Sequence, residues 1–393
     1  MNYLIKILHV IYGFALILFV NRVEYTWIET YVASFLFFIF IIDNIFNKKM
    51  IVIPKLIYPF LFFILISFIG LISNQVDSTL NVLLLFIKIL CFIVVLYNQI
   101  ITINSFNFLF FGIVIGLLVN IYIGYFISDD FFMLTSKRYS GSLMNPNHYS
   151  FLLSVAIAFF IYLIFNIKQK SKINSIIKFI IILFMLLFAY EIIYKTASRQ
   201  GFLLVVFCFL FYLYRVYKNL NFFRVIAVLF ISIFIIDIAL EELNNYSFLK
   251  ERVFSILSFN RNTDISISQR FNYITKAFEF WLENPLFGIG LDQFRVLNNS
   301  SYSHNNYLEL LATTGLFGFI SYYFSHFLIL KIYFSSKKYK SNLDYSIFLL
   351  LLILASDISS VNYIEKPYWL IFTVILFISS KFSVKKSNRI IKF

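Results

Sequence analysis

Charged side chains make up only 13% of the 393 residues, against about a quarter in ordinary soluble domains, while 61% of the chain is hydrophobic and mean hydropathy is +0.86. No soluble core could hide that much apolar surface. Cysteine occurs twice, as Cys91 and Cys208, each inside an apolar run. That excludes a disulfide framework and a cysteine-built metal centre, and leaves both as small packing residues. Glycine and proline are scarce, at 11 and 5, and no glycine-rich phosphate loop or Walker-type Lys-Ser/Thr occurs. Energy coupling by nucleotide hydrolysis is therefore not expected. Asp129 and Asp130 are adjacent rather than spaced for metal ligation, so no metal or other cofactor is expected.

What the chain has in abundance is long hydrophobic runs, each near the length that crosses about 30 Å of hydrocarbon as a helix. Twelve spans are predicted, over residues 4–20, 27–46, 56–73, 80–97, 105–127, 148–166, 173–194, 201–217, 222–240, 305–330, 343–361 and 367–380. The expected fold class is an all-α polytopic membrane bundle. Val20-Asn21-Arg22 lacks a small-residue cleavage pattern, so the first span is expected to stay as an anchor.

The net charge of +14 follows the rule that basic residues stay on the cytoplasmic side, rather than marking a nucleic-acid partner. With the N-terminus inside, Lys48, Lys49, Lys55, Lys168 to Lys178, Lys331 to Lys340 and the tail Lys381 to Lys392 all fall inside. Of the acidic residues only Asp43 and Asp344 lie near that face. Both termini are expected in the cytoplasm.

Polar punctuation gathers in three external stretches, 128–147, 191–200 and 241–304. The division expected is helices 1–9 over 1–240, an extracytoplasmic loop over 241–304, and helices 10–12 with a basic tail over 305–393. Within the loop, Ser266 and Gln269 form a capping-box start, and Phe271, Ile274, Phe278, Trp281 and Leu282 recur at helical spacing. An amphipathic helix is predicted there, lying on the membrane interface with Trp281 inward and ended by Asn284-Pro285; Gly288-Ile289-Gly290 then forms a turn of close backbone approach. Gly112 and Gly116 predict close helix packing in the fifth span.

His304 opens the tenth span, where an imidazole that titrates near neutrality could take a proton from an attacking sugar hydroxyl. Arg199, Arg270 and Arg138 lie on the same side, and a diphosphate leaving group calls for such planar, permanently charged forks. The residues alone leave the alternatives open: an interfacial helix cap for the histidine, headgroup anchors or surface ion pairs for the arginines. Lys88, near the middle of the fourth span, is either a functional charge or half of an internal ion pair with Asp237 or Glu191. His148 reads as helix-end structure, and His9 and His326 read as packing.

Four blocks in order, Arg138 to Asn147, Ser198-Arg-Gln-Gly201, Arg270 to Gly290, and Ser303-His-Asn-Asn-Tyr-Leu308 leading to Gly315-Leu-Phe-Gly318, resemble the O-antigen ligase and polymerase superfamily. The resemblance covers residues 138–318; the N-terminal half agrees only in hydropathy. It implies a GT-C-like membrane glycosyltransferase of the bacterial cytoplasmic membrane, working on its outer face with an undecaprenyl-diphosphate-linked glycan as donor. The acceptor implied is another lipid-linked glycan in the polymerase branch, giving O-antigen, capsule or exopolysaccharide, and lipid A core in the ligase branch. Membrane lipid is a further partner and a chain-length regulator an optional one. The resemblance also implies a functional histidine at His304 and functional arginines at Arg199 and Arg270, with Arg138 matching less closely. A lipid-linked oligosaccharide transporter is the competing class, disfavoured because the distinctive residues lie in outer loops rather than in broken midplane helices.

Overall fold

The computed structural model describes residues 2–20, 22, 24–47, 50–71, 76–126, 139–143, 145–167, 171–217, 265–336 and 340–387. The predicted ninth span, the first part of the long loop and Arg138 lie outside these residues. Thirteen α-helices occur among the described residues, and no strand: α1 Asn2–Phe19, α2 Thr26–Asn47, α3 Tyr58–Leu71, α4 Val76–Ile103, α5 Asn107–Phe126, α6 Pro146–Asn166, α7 Lys172–Tyr190, α8 Arg199–Tyr217, α9 Ile265–Glu283, α10 Gln293–Leu297, α11 Asn306–Ser335, α12 Lys340–Asp357 and α13 Lys366–Ser387.

Among the described residues, eight helices, those at α1, α2, α4, α5, α6, α7, α8 and α11, are long and apolar enough to cross a membrane. The predicted span at 56–73 is a shorter apolar helix, Lys55–Ile69, and α12 and α13 occupy the last two predicted positions. The chain is thus an all-α polytopic membrane protein. Expected and observed ends differ where polar side chains intervene. The eleventh span stops at Asp357 rather than 361, because that carboxylate accepts from Asn362 (2.8 Å) and Tyr323 (3.0 Å) and draws the following chain into a turn.

The helices divide into two compact units. One comprises Met1–Asn120 with Ile265–Phe393, the other Ile121–Asp264. In the first unit α3 packs along α11, α1 along α2, and α13 against α4 and α12. Its centre is an aromatic cluster in which Phe60 lies 5.0 Å from Trp369, 5.5 Å from Tyr322 and 5.4 Å from Phe372 between ring centroids. Since lipid tails are as apolar as these rings, interlocking edge-to-face contact rather than escape from water holds such a centre together. His326 sits inside it, 5.0 Å from Phe372, and His9 bonds Gln99 at 3.1 Å. Both are packing residues, as expected.

Gly112 lets α5 touch α1: a Cβ there would strike the Val10 carbonyl, and one at Gly116 would meet Ile17 Cβ at 2.8 Å. In the second unit α6 is buried along most of its length against α7 and α8. Asn145 caps it through the Asn147 N–H at 2.9 Å, with Pro146 at the first helical position, where its missing donor costs nothing.

Candidate active site

The four sequence blocks come together two by two. In the second unit, the Ser198 hydroxyl donates to Asn147 Oδ1 at 2.7 Å and accepts the Gly201 N–H at 3.1 Å. Ser198 therefore caps α8 and ties it to the start of α6. The Tyr139 N–H donates to the Lys195 carbonyl at 2.9 Å, which brings the first block onto the second. Residues 191–195 form a wide helical turn, Ala197 takes a left-handed conformation (φ 42°), and α8 starts at Arg199. Arg199 thus stands at the N-terminal, positive end of the α8 dipole. Gly201 is required for this junction, since a Cβ would lie 2.6 Å from that of Ser150.

In the first unit, the other two blocks join through backbone. Helix α11 is broken at Gly315 (φ 63°, ψ −169°), about 14 Å from its Asn306 end. The break would strand carbonyls and N–H groups of the helical ladder, and the turn after α9 takes them up. Ile289 and Gly290 N–H donate to Ala312 and Thr313 carbonyls at 2.9 and 2.8 Å, while Leu316 and Phe317 N–H donate to Pro285 and Leu286 carbonyls at 2.9 and 3.2 Å. Gly288 (φ 70°) and Gly315 face each other so closely that a Cβ on either would collide with the other segment's main chain. The predicted turn of close approach is present, and α11 is what it approaches.

Helix α9 is present as expected and ends at Glu283, just before Asn284-Pro285. Starting at Ile265, it places Arg270 in its second turn. Ala277, with Tyr273 and Phe280, packs against Ile289, Phe294, Ala312 and Leu308. The stripe of Phe271, Ile274, Phe278 and Leu282 is exposed, with Trp281 half-buried. The amphipathic helix therefore uses one face to hold the site and leaves its larger apolar residues uncovered.

His304 is exposed and adopts a left-handed backbone conformation (φ 56°), a strained region for a residue other than glycine, one that histidine enters more readily than most. Its neighbours hold it there. Ser303 N–H donates to the buried Glu309 Oε2 at 2.8 Å, and Asn305 Oδ1 caps α11 through the Leu308 N–H at 3.0 Å. Asn305 Nδ2 donates to the Ile358 carbonyl at 3.1 Å, while Asn306 Oδ1 accepts the N–H groups of Asn362 and Tyr363 at 3.0 and 3.2 Å. The imidazole lies 6.0 Å from the Tyr273 ring, between centroids. Arg270, three residues before Tyr273, shares that side of α9.

Sequence reasoning missed the residues that fix this turn. Asp292, 1% exposed and itself left-handed (φ 64°), accepts from Arg295 Nε and Nη2 at 2.8 and 2.5 Å and from the Tyr302 hydroxyl at 3.0 Å. Burial, and then the Asp292 charge, push the Tyr302 phenol well above its ordinary range, so it stays a hydrogen-bond donor. Gln293 anchors the same loop to Ser78 and Thr79 of α4 at 3.0 and 2.9 Å. The only signal in the sequence was Glu309 itself, an acid placed among leucines one turn inside a predicted span. Of the four predicted residues, Arg270 on α9 and His304 ahead of α11 both belong to the first unit, Arg199 opens α8 in the second, and Arg138 is outside the described residues.

No curated protein matches the chain. Residues 191–323, which include Arg199, Arg270 and His304 but not Arg138, match the family model described as O-antigen ligase, and this match supports the chain's place in the O-antigen ligase and polymerase superfamily.

Proposed function

We propose that the protein is a lipid-linked-oligosaccharide glycosyltransferase of the bacterial cytoplasmic membrane, polymerising undecaprenyl-diphosphate-linked repeat units on the outer face. The observation that carries this reading is the O-antigen ligase match over 191–323, whose range contains an exposed histidine held on a strained turn. In the reaction, His304 takes the proton of an acceptor hydroxyl as its oxygen attacks the anomeric carbon from the face opposite the diphosphate. The carbon–oxygen bond to the diphosphate breaks, its electron pair leaves with the phosphate oxygen, and the anomeric configuration inverts. Arg199 and Arg270 bind the departing diphosphate, and Arg138 assists them. No metal ion is invoked.

The exposed stripe of α9 suits a helix resting on the lipid surface, where it would hold Arg270 at headgroup height. A second reading, ligation of finished glycan to lipid A core, is favoured by the matching family's being one of O-antigen ligases. A glycan gel of a deletion strain separates them. An O-antigen ladder collapsing to core with a single repeat identifies the polymerase; bare core with long polymer left on the lipid carrier identifies the ligase. Unchanged surface glycan would remove both.

Two substitutions probe the roles. Arg199→Lys and Arg270→Lys keep the charge but lose the planar fork, and each is expected to lower transfer in isolated membranes by about 10- to 100-fold. Wild-type rates for both would sink the diphosphate role. Glu309→Ala leaves the Ser303 N–H without its acceptor, at a cost of about 1–3 kcal/mol, whereas Glu309→Gln keeps an acceptor oxygen. Thermal unfolding in detergent should rank wild type, Glu309→Gln and Glu309→Ala in falling order, and transfer should fall in the same order.

A further inference from the structure

An open cavity of about 570 Å³ lies within the first unit, between α1, α2, α4 and α13. Its volume is in the range of ligand pockets. Most of its wall is apolar, with Phe37, Leu85 and Phe92 among the lining residues, and it contains three charged side chains: Glu29, Lys88 and Lys366. Glu29, 2% exposed, pairs with Lys366 at 2.6 Å. Those two charges cancel. Lys88 is exposed, and among the described residues no hydrogen bond or ion pair holds its ammonium. Glu191, one of its two expected partners, instead accepts from the Tyr125 hydroxyl at 2.7 Å in the other unit.

The position of Lys88 makes this state costly. Helix α4, at 28 residues, is about 42 Å long and exceeds the hydrocarbon by about 12 Å. Lys88 is about 18 Å along it from Val76, so it lies about 12 Å inside the hydrocarbon. A charge at that depth needs an anion or water beside it, and a lysine stem lets the ammonium reach part of the way back toward the interface. The Glu29–Lys366 pair marks the near end of the cavity, because Glu29 is in the first turn of α2 and Lys366 is the first residue of α13.

We propose that this cavity binds an anionic phospholipid of the membrane, its phosphodiester against Lys88 and an acyl chain along the apolar wall. The charge selects the occupant. One uncompensated ammonium matches the single negative charge of a phosphodiester, whereas a lipid diphosphate would bring at least one charge too many. Water alone would leave the apolar wall wet, and a zwitterionic lipid such as phosphatidylcholine would bring a cation of its own beside Lys88 along with its phosphate. The site is separate from the His304 turn, and binding does not require glycosyl transfer. Both sites share the connection between α12 and α13, since Asn362, which bonds Asn306, is four residues from Lys366.

The test uses the full chain in nanodiscs of equal phosphatidylglycerol and phosphatidylcholine, with lipid retained after release into detergent counted by native mass spectrometry. Wild type is expected to keep one phosphatidylglycerol in preference to phosphatidylcholine. Lys88→Gln should reduce that retention about fivefold, the effect of losing one lysine at a lipid phosphate, and Lys88→Arg should preserve it. Ala33→Phe, which narrows the cavity and leaves every charge in place, should reduce it as well. Asp237→Asn should leave retention unchanged; stronger retention would mean that Asp237 neutralises Lys88. The proposal is overturned by that result, by equal retention of the two lipids, by a Lys88→Gln protein that keeps its lipid, or by farnesyl diphosphate displacing the lipid at lower concentration than phosphatidylglycerol does.

Discussion

His304→Ala is expected to lower glycosyl transfer by about 10²- to 10⁴-fold, the usual contribution of a positioned general base, while the protein still inserts and folds. The second half of that expectation comes from the structure: His304 is exposed, and its ring rests on Tyr273 without filling a core position. Because the backbone there is left-handed, alanine adds some local strain, and His304→Asn is the cleaner variant. Asparagine enters that conformation readily but cannot accept the proton. Both variants should leave lipid-linked donor accumulating in membranes and surface glycan lost. If His304→Asn supported wild-type transfer in a membrane assay, the histidine would be a turn residue and the base would have to be sought elsewhere.

Gly315→Ala should be the most damaging single change in the hinge between α9 and α11. Its φ of 63° with ψ of −169° lies in a region essentially reserved for glycine and costs another residue about 1–3 kcal/mol, and the added methyl would strike the Leu286 main chain. Moving that segment away would disrupt the four backbone hydrogen bonds joining 285–290 to 312–317, each contributing about 1 kcal/mol. A total loss of at least about 3 kcal/mol is expected, read as a fall in folded yield and in detergent unfolding temperature. Leu316→Ala, at an exposed neighbour, is the control and should behave nearly as wild type. Equal stability of Gly315→Ala and wild type would mean that the break is not held by the turn after α9.

These expectations rest on features that differ in how far the sequence shows them. Hydropathy placed the membrane helices because crossing hydrocarbon is a local requirement, met by the composition of each run on its own. The same holds for α9, whose apolar spacing and Asn284-Pro285 stop are local signals. His304, Arg199 and Arg270 could be singled out because charged or titratable groups stand out in a chain with few of them. The break at Gly315 was less visible. Glycine is tolerated inside many membrane helices, and nothing local distinguishes one that packs from one that bends.

The residues that hold the histidine turn were hidden for a related reason. Glu309 is six residues from Ser303, but Asp292, Asn362 and Asp357 become parts of one polar framework only when the α10 segment, α11 and the connection between α12 and α13 meet. Their value depends on what stands opposite each buried polar atom, which is a property of packing rather than of order along the chain. The same applies to Lys88. Composition alone identifies it as a charge in a membrane span, and only the arrangement of α2, α4 and α13 shows Lys366 already neutralised by Glu29, leaving Lys88 to face an apolar cavity.

Class, membrane residence and the candidate site residues thus follow from the linear chain, because burial in lipid depends on the composition of each run and titratable groups stand out by residue type and short-range spacing. The left-handed turn under His304, the main-chain joint at Gly288 and Gly315, and the placing of Lys88 on an apolar cavity beside an already paired Lys366 follow only from the folded state, because each is defined by contacts between segments far apart in sequence.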